Sequence, residues 1–179
     1  NDLVRGEVKF DGALITDPVL IREDGTPLYH LGSVIDDIDF KITHIVRGED
    51  HVTNTATHVQ MFEALGATPP AFAHVTLLGD MSGGKLSKRK GGFGIKSLRE
   101  EVGIEPMALI SLVARIGTSD PLEVAASVQA LGESFAFSKM GRSPARYDTA
   151  DLDRLNAQAL HAMDYATAQP RLQALDADL

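Results

Sequence analysis

Short apolar stretches separated by turn residues mark the first part of the chain. Residues 8–21 are interrupted by an Asp-Gly and an Asp-Pro pair, which is typical of small antiparallel strands. Residues 42–47 form a compact run rich in β-branched side chains, and residues 72–78 form a second apolar run. Between them, residues 54–65 carry apolar side chains at helical spacing and stop before Gly66, a residue type that commonly ends helices. The order strand, helix, strand predicts a parallel α/β unit with a right-handed crossover.

Beyond residue 97 the pattern becomes helical. Residues 98–102 and 106–114 place apolar side chains at helical spacing, and Pro106 suits the first turn of the second segment. Further helices are predicted at residues 122–131, 149–163 and 165–175. Asp148 or Thr149 has the side chain of an N-cap for the helix that follows. The second half of the chain is therefore expected to be a helical region.

Composition and charge narrow the function classes. The chain has 17 Lys and Arg against 25 Asp and Glu, a formal charge of -8, which is the opposite of a protein that coats nucleic acid. The absence of cysteine removes disulfides, thiolate zinc sites and cysteine nucleophiles, and agrees with a reducing compartment. No apolar run approaches the length of a membrane span. The first residues contain neither an initiator Met nor a signal pattern, so the chain is expected to be a fragment.

The carboxyl ends of the two predicted strands are the expected ligand site, because parallel α/β sheets bind ligands there. Residues 79–85 match the spacing G-x4-G-K of a triphosphatase phosphate loop. Leu86 then stands where that loop needs a Ser or Thr hydroxyl for magnesium, and glycines follow where its helix should run. A phosphate-loop triphosphatase is therefore disfavoured.

Residues 85–90 place four cations within six residues, and glycines flank them. One interpretation is a solvated basic loop. In a protein of charge -8, a basic cluster just past a strand end instead favours a polyphosphate-binding loop. Lysine suits a pyrophosphate leaving group, because its compact charge can follow the phosphates as they move.

The sequence KLSKR at residues 85–89 resembles the KMSKS signature of class I aminoacyl-tRNA synthetases, in the form common among glutamyl enzymes. Other segments resemble the glutamyl and glutaminyl group in the expected order: DGTPLYH at 24–30, DD at 36–37, ITHIVRGEDH at 42–51 and NT at 54–55. The resemblance covers about residues 17–151, and the chain is identified as a member of this group.

The resemblance implies an α/β fold, the second half of a Rossmann-type nucleotide-binding domain followed by an α-helical stem-contact region. Residues 1–28 would be the tail of a β-containing acceptor-binding insertion. Residues 29–96 would be the second half of the Rossmann-type catalytic domain with the KMSKS loop. Residues 97–150 would be the helical stem-contact region, and residues 151–179 the start of the helical anticodon-binding domain.

The resemblance also implies substrate-binding residues. Tyr29 and Arg47 fall at the positions that help to hold the amino acid, and Ser33 lies one helical turn after Tyr29 on the same face. A guanidinium group fits a carboxylate bidentately. Without the resemblance, a surface ion pair would be the default interpretation of Arg47. Asp50 and His51 fall where the family contacts ATP, although His51 could equally be a packing residue.

The catalytic residues implied by the resemblance are Lys85, Ser87 and Lys88. Lys85 and Lys88 would bind ATP and neutralise its β- and γ-phosphates as pyrophosphate leaves, with Mg2+, held mainly by the ATP phosphates, sharing that role. No metal site formed by protein side chains is expected. The spacing of seven between His44, His51 and His58 lacks the pattern of a zinc protease, and no zinc is expected in these residues.

A basic segment near residue 140 is the expected tRNA contact. Lys139, Arg142 and Arg146 resemble the part that follows the KMSKS loop and contacts the inside of the tRNA L, and each could neutralise a phosphate. A connector between helices is the alternative interpretation.

The implied function is ATP-dependent attachment of glutamate to tRNA(Glu) through a glutamyl-adenylate, in a monomeric, cytoplasmic full-length enzyme without membrane contact. No HIGH motif occurs in these residues, so this chain alone is expected to be inactive. The basic residue that reads the substrate side chain in this family is also not among them, so a glutaminyl or non-discriminating enzyme stays open. A tRNA-modifying paralogue normally lacks the helical tail, and the charge of -8 opposes a non-catalytic RNA-binding module.

Overall fold

A computed structural model describes residues 1–79, 81 and 94–175, and the chain divides into two compact units. Unit 1 comprises Asn1–Leu77 and Ala136–Pro144. Unit 2 comprises Leu78–Phe135 and Ala145–Leu179. The four-part division implied by the family resemblance stays a prediction.

Unit 1 contains the predicted parallel α/β element. Its helices and strands are α1 (Tyr29–Asp39), β1 (His44–Gly48), α2 (Val52–Ala64) and β2 (Ala71–Val75), with a 3-10 turn at Glu49–His51. β1 and β2 are parallel, with His44 opposite Ala71 and Gly48 opposite Val75. The prediction of strand, helix and parallel strand is therefore confirmed.

The core of unit 1 forms where both helices meet the sheet. Val34 from α1, Phe62 from α2 and Phe72 from β2 are buried against one another. Ile38 lies one turn after Val34, and Ile45 of β1 also packs on this cluster. Burial of apolar side chains from all four elements holds the start of α1 and the end of β1 in place, and these two positions carry the candidate site.

The predicted antiparallel strands at residues 8–21 are confirmed only at their end, where Ile21 forms an antiparallel bridge with Pro27, and the rest of the segment contains no strand. Gly12–Leu14 is a 3-10 turn, and Asp11 caps it by accepting a hydrogen bond from the backbone N–H of Ala13. Leu14 and Val19 are 81% and 64% exposed, so these two apolar side chains have no core on which to pack. Short strands without a buried face are not stable, and the apolar pattern alone did not show that this face is solvent-exposed.

The first residues of the chain pair with the sheet instead. The backbone N–H of Leu3 donates to the carbonyl of Phe72 at 2.8 Å, and Asp2 forms a parallel bridge with Phe72. The Asp2 carboxylate is buried and accepts hydrogen bonds from the backbone N–H groups of Val4 and Arg5 at 2.9 and 2.8 Å. Asp2 is therefore fixed beside β2.

Unit 2 is mainly helical, as predicted. Its helices are α3 (Ile95–Ser97), which continues into a π-helical turn at Leu98–Val102, α4 (Pro106–Arg115), α5 (Val128–Ser134), α6 (Thr149–His161) and α7 (Tyr165–Leu175). Two short strands, β3 (Leu78–Gly79) and β4 (Ala145–Arg146), pair in parallel. The buried core consists of Leu98, Ile104, Ala108, Leu112, Tyr147, Leu152 and Leu155.

Two residues at helix ends in unit 2, Pro106 and Asp148, were predicted from their residue types. Pro106 lies in the first turn of α4, and Asp148 caps α6 by accepting from the backbone N–H of Ala150 at 2.9 Å, so both predictions are confirmed. The helix predicted at residues 122–131 begins only at Val128, where Ser127 is the N-cap.

Side chains explain why this helix begins late. The Arg115 guanidinium donates to the carbonyls of Pro121 and Glu123, and Arg154 donates to the carbonyl of Leu122. These bonds satisfy backbone carbonyls that a helix would otherwise pair internally. Among the residues that the structure describes, no helix has both the length and the apolar character needed to cross a membrane.

Candidate active site

Arg47 lies at the end of β1, where its guanidinium group is the centre of a polar cluster. Its Nη2 donates to the hydroxyl of Thr55 at 2.7 Å and to the carbonyl of His51 at 3.3 Å. Its Nη1 donates to the hydroxyl of Tyr29 at 3.1 Å, and its Nε donates to Nε2 of His74 at 3.2 Å. All of these acceptors are uncharged, so the hydrogen bonds orient the guanidinium without neutralising it.

In residues 1–79, 81 and 94–175, Arg47 does not form the surface ion pair with Glu49 or Asp50 that the sequence suggested. The Glu49 carboxylate pairs with Arg5 at 2.5 Å. Asp37 on α1 is within electrostatic reach of Arg47, but no hydrogen bond joins them among the described residues. Burial raises the pKa of the Asp37 carboxyl, and this effect exceeds the opposing influence of the Arg47 charge. Among the described residues no carboxylate is hydrogen-bonded to Arg47, so within this part of the chain its positive charge is available to an anionic ligand.

Tyr29 and His51 lie together beside the guanidinium. The Tyr29 hydroxyl is 3.4 Å from Nδ1 of His51, and the two ring centroids are 5.6 Å apart. The Tyr29 side chain is 48% exposed, so a ligand from solvent can reach its hydroxyl. Asn54 lies 3.1 Å from the same Nδ1. The structure thus brings Tyr29, Arg47 and His51 together.

Ser33 and Asp50 are placed differently. Ser33 is half-buried one turn after Tyr29 in α1, and among the described residues it shares no hydrogen bond with Tyr29 or Arg47. Asp50 is exposed in the 3-10 turn that follows β1. Its carboxylate lies over the backbone of Gly48.

Gly48 is required by this close approach. A Cβ added to Gly48 would lie 2.5 Å from Oδ1 of Asp50 and 2.9 Å from Cδ2 of Leu77. We expect Gly48→Ala to lower the free energy of unfolding by about 1–2 kcal/mol, because both side chains must move. Chemical denaturation of the 179-residue chain measures this value.

Gly32→Ala is the matched control, because a Cβ at Gly32 in α1 has no heavy atom within 4 Å. Alanine is the better helix former, so this variant should be stabilised by up to about 1 kcal/mol. Equal effects of the two substitutions would contradict the close approach at Gly48.

His58 is a buried neutral histidine behind the guanidinium. It is 0% exposed, its Nε2 lies 3.0 Å from Nδ1 of His30, and its Nδ1 lies 3.4 Å from Nη1 of Arg47. Burial lowers the pKa of His58 to about 4, and the Arg47 charge contributes in the same direction. A neutral ring with a lone pair on Nδ1 can accept from Arg47 and donate from Nε2 to His30.

This pKa predicts a pH dependence of stability. The folded-state pKa of His58 is about 4, below its ordinary value of 6.5, so the stability that depends on a neutral ring is fully present above pH 6.5. This contribution to the free energy of unfolding is at most about 3 kcal/mol, and it is lost as the pH falls from 6.5 towards 4. Thermal unfolding across this range should show a smaller decline in His58→Gln than in the wild type.

The His58 ring proton measured by NMR should titrate near pH 4. A midpoint near pH 6.5 for His58 would contradict its burial as a neutral ring.

A second histidine, His74, connects Arg47 to the Asp2 carboxylate. Its Nδ1 lies 2.6 Å from Oδ2 of Asp2, and both side chains are nearly inaccessible to solvent. Burial alone would raise the pKa of Asp2, but hydrogen bonds from the Arg5 backbone and the His74 ring lower it below its ordinary value. Asp2 is therefore an ionised acceptor.

Asp2, His30, His58, His74 and Thr55 were not predicted from the sequence to belong to the amino-acid or ATP site. Their contacts with the cluster arise from the pairing of β1 with β2 and from the placement of α2, which local patterns do not specify. A polar His74 inside an otherwise apolar strand was the available signal, since such a residue needs a buried partner.

The predicted phosphate-loop residues Lys85, Ser87 and Lys88 lie outside the described residues. Their roles stay predictions.

The predicted tRNA-contact residues belong to different units. Lys139 ends a 3-10 turn and Arg142 follows it, both in unit 1, whereas exposed Arg146 is in β4 of unit 2. Nε of Arg142 donates to the carbonyl of Val4 at 3.0 Å, so this residue also ties down the start of the chain.

Within residues 1–79, 81 and 94–175, no three His, Asp or Glu side chains are arranged to hold a metal ion. His44 stacks on Phe137 with ring centroids 6.2 Å apart, whereas His51 and His58 both contact Tyr29. The guanidinium among the histidines also opposes a cation.

Comparison with known proteins defines the class. The family model "tRNA synthetases class I (E and Q), catalytic domain" matches residues 1–154. The chain therefore belongs to the family of class I tRNA synthetases for glutamate and glutamine. The resemblance inferred from the KLSKR and VRGEDH segments is thereby confirmed, as is the α/β class of the fold. Members of this family use ATP and Mg2+.

The chain is similar in sequence to glutamate–tRNA ligases of other bacteria. The chain is 54% identical over 178 residues to glutamate–tRNA ligase 1 of Maricaulis maris, covering 99% of this chain and 40% of that protein. It is 51% identical over 181 residues to glutamate–tRNA ligase 1 of Parvibaculum lavamentivorans, covering 100% of this chain and 40% of that protein. The chain thus spans about 40% of the length of the curated relatives it matches.

Solved structures agree in fold. The crystal structure of glutamate-tRNA synthetase from Elizabethkingia anophelis is similar with a TM-score of 0.85 and 32% identity, covering 99% of this chain and 40% of that chain. A glutamate tRNA ligase from Elizabethkingia meningosepticum, in complex with its amino acid, gives a TM-score of 0.87 and 33% identity, covering 99% and 39%.

Proposed function

We propose that this chain carries the amino-acid site and the phosphate loop of an enzyme that attaches glutamate to tRNA(Glu), using ATP and passing through a glutamyl-adenylate. The main support for this proposal is the Arg47 guanidinium. Four neutral acceptors orient it, and none of them neutralises its positive charge. Such a group can bind a carboxylate from solvent. The amino-acid substrates of this family carry a carboxylate.

The Tyr29 side of the guanidinium is the proposed carboxylate-binding edge. Nη1 of Arg47 and the Tyr29 hydroxyl are 3.1 Å apart and can donate to the same carboxylate. His58 lies on the buried side of Nη1 at 3.4 Å, so the exposed Tyr29 side is the one that a carboxylate from solvent can approach. Neutral His58 carries no charge that would compete for or repel the ligand.

Asp50 and His51 are the proposed ATP contacts of this part of the site. They follow β1 directly, so they lie at the carboxyl end of a parallel strand, where nucleotides bind in such sheets. Ser33 is the proposed third contact to the amino acid. Mg2+ would accompany ATP, bound mainly by its phosphates, and would help to neutralise them.

The chemistry needs few protein groups. An oxygen of the glutamate α-carboxylate attacks the α-phosphorus of ATP, the bond to pyrophosphate breaks, and glutamyl-adenylate forms. A terminal ribose hydroxyl of the tRNA then attacks the activated carbonyl and releases its proton to solvent, the acyl–phosphate bond breaks, and AMP leaves with the electrons of that bond. Lys85 and Lys88 neutralise charge on the departing pyrophosphate.

The tRNA would contact Lys139, Arg142 and Arg146 through its phosphates. The proposal includes a monomeric, cytoplasmic enzyme and the four-part division of the chain given above. The alternatives are a glutaminyl or non-discriminating enzyme and a non-catalytic RNA-binding module.

Aminoacylation by the intact enzyme that contains this chain tests the proposal. Labelled glutamate and labelled glutamine are each offered with tRNA(Glu) and with tRNA(Gln). Glutamate on tRNA(Glu) alone is the expected product. Glutamine on tRNA(Gln) would indicate a glutaminyl enzyme, glutamate on both tRNAs a non-discriminating enzyme, and tRNA binding without aminoacylation a non-catalytic module.

A further inference from the structure

His74 of β2 lies directly opposite Arg47 of β1 in the parallel register. The ring connects two charged groups of opposite sign. Its Nε2 is 3.2 Å from Nε of Arg47, and its Nδ1 is 2.6 Å from Oδ2 of Asp2. Thr55 also lies 3.0 Å from Nε2, so the ring is surrounded by specific polar contacts in a site that is almost inaccessible to solvent.

The positions of the protons in this arrangement follow from donor and acceptor chemistry. The Nε–H of arginine is always a donor, so Nε2 of His74 must present its lone pair. In a neutral ring the proton then lies on Nδ1, which donates to the Asp2 carboxylate. The other oxygen of Asp2 accepts from the backbone N–H groups of Val4 and Arg5, so both carboxylate oxygens are engaged.

We propose that Asp2 and His74 are positioning residues for Arg47: Asp2 fixes the ring tautomer of His74, and His74 thereby orients the guanidinium towards the Tyr29 hydroxyl. This inference rests on the proposed function only for the identity of the ligand, a carboxylate of the amino-acid substrate. A carboxylate that orients a functional side chain through a histidine is a recurrent arrangement in catalytic sites.

Asp2→Asn separates this role from a merely structural one. The amide has nearly the same shape, and its Oδ1 can still accept from Val4 and Arg5. Its NH2 group would replace Oδ2 and donate to Nδ1 of His74. The ring proton then has to move to Nε2, where it faces the Nε–H of Arg47, and two donors repel each other.

The tautomer itself is measured by long-range 1H–15N NMR on the 179-residue chain, independently of any activity. In the wild type, Nδ1 of His74 should be the protonated nitrogen and Nε2 the unprotonated one, and Asp2→Asn should reverse this assignment. Asp24→Asn is the matched control, because it changes an exposed carboxylate in a turn, bonded to the backbone N–H of Thr26 and not to His74. A wild-type ring protonated on Nε2 would overturn the proposal.

The functional consequence is measured in the intact enzyme by glutamate-dependent pyrophosphate exchange. Asp2→Asn should raise the KM for glutamate about tenfold with kcat changed less than about threefold, whereas Asp24→Asn should change neither. If Asp2→Asn does not fold, the pair His74→Gln and His74→Leu replaces it. Glutamine can present an oxygen to Nε of Arg47 and should keep the KM nearer to the wild type than leucine does.

The outcomes separate this inference from the proposed function. An unchanged KM in a folded Asp2→Asn enzyme, or equal KM values for His74→Gln and His74→Leu, would overturn the positioning role while leaving glutamate binding at Arg47 intact. An unchanged KM in Arg47→Ala would instead overturn the proposed function.

Discussion

Lys88→Ala in the intact enzyme will lower kcat for glutamyl-adenylate formation by about 10²- to 10³-fold while leaving the KM for glutamate within about threefold. The reason is the timing of the contact. If the lysine meets the phosphates only as pyrophosphate begins to leave, it stabilises the transition state more than the ground state, and such a contact raises kcat rather than affinity.

The Lys88 prediction rests on the sequence, because the residue lies outside the described part of the chain. Pyrophosphate exchange and single-turnover adenylate formation measure it. Lys96→Ala is the control, since Lys96 is an exposed lysine on α3 with a 3.9 Å ion pair to Glu100. A Lys88→Ala enzyme with nearly unchanged kcat, or with a change only in the glutamate KM, would refute the phosphate-loop assignment.

Arg47→Ala should have the opposite kinetic signature, raising the KM for glutamate about 10²-fold. The expected loss is that of a charge-assisted hydrogen bond, roughly 3 kcal/mol. Arg47→Lys keeps the charge but loses the planar fork that bonds both Thr55 and Tyr29, so its KM should fall between the wild type and Arg47→Ala.

Exchange kinetics at varied glutamate concentration measure this difference. Arg154→Ala is the control, because Arg154 bonds Asp151 and the carbonyl of Leu122 in unit 2 and has no part in the proposed site. The assignment of Arg47 would be wrong if its alanine variant bound glutamate as tightly as the wild type did.

The elements that could be predicted from the sequence are those whose pattern coincides with a buried face. The run at residues 42–47 and the helical spacing at 54–65 match β1 and α2 within two residues, because both pack on Phe62 and Phe72. Residues 8–21 carry a similar apolar pattern, but no core covers Leu14, and only Ile21 forms an antiparallel bridge. Apolar pattern alone does not say which faces find a partner.

Some residues of the candidate site could likewise be predicted from the sequence, and others could not. Tyr29 and Arg47 could be selected because they stand in segments that resemble the family. Asp2 and His74 could not, because they are 72 residues apart and meet only through the bridge between Asp2 and Phe72. Their contact depends on strand register, and register follows from the whole sheet rather than from any local motif.

The binding of glutamate at Arg47 can be seen in a crystal structure of the intact enzyme with glutamate bound. We expect a glutamate carboxylate to accept hydrogen bonds from Nη1 of Arg47 and from the Tyr29 hydroxyl, while Nε of Arg47 stays bonded to His74. Glutamate bound elsewhere, with the contact between Arg47 and Tyr29 unchanged and no carboxylate beside it, would show that Arg47 does not bind the amino acid.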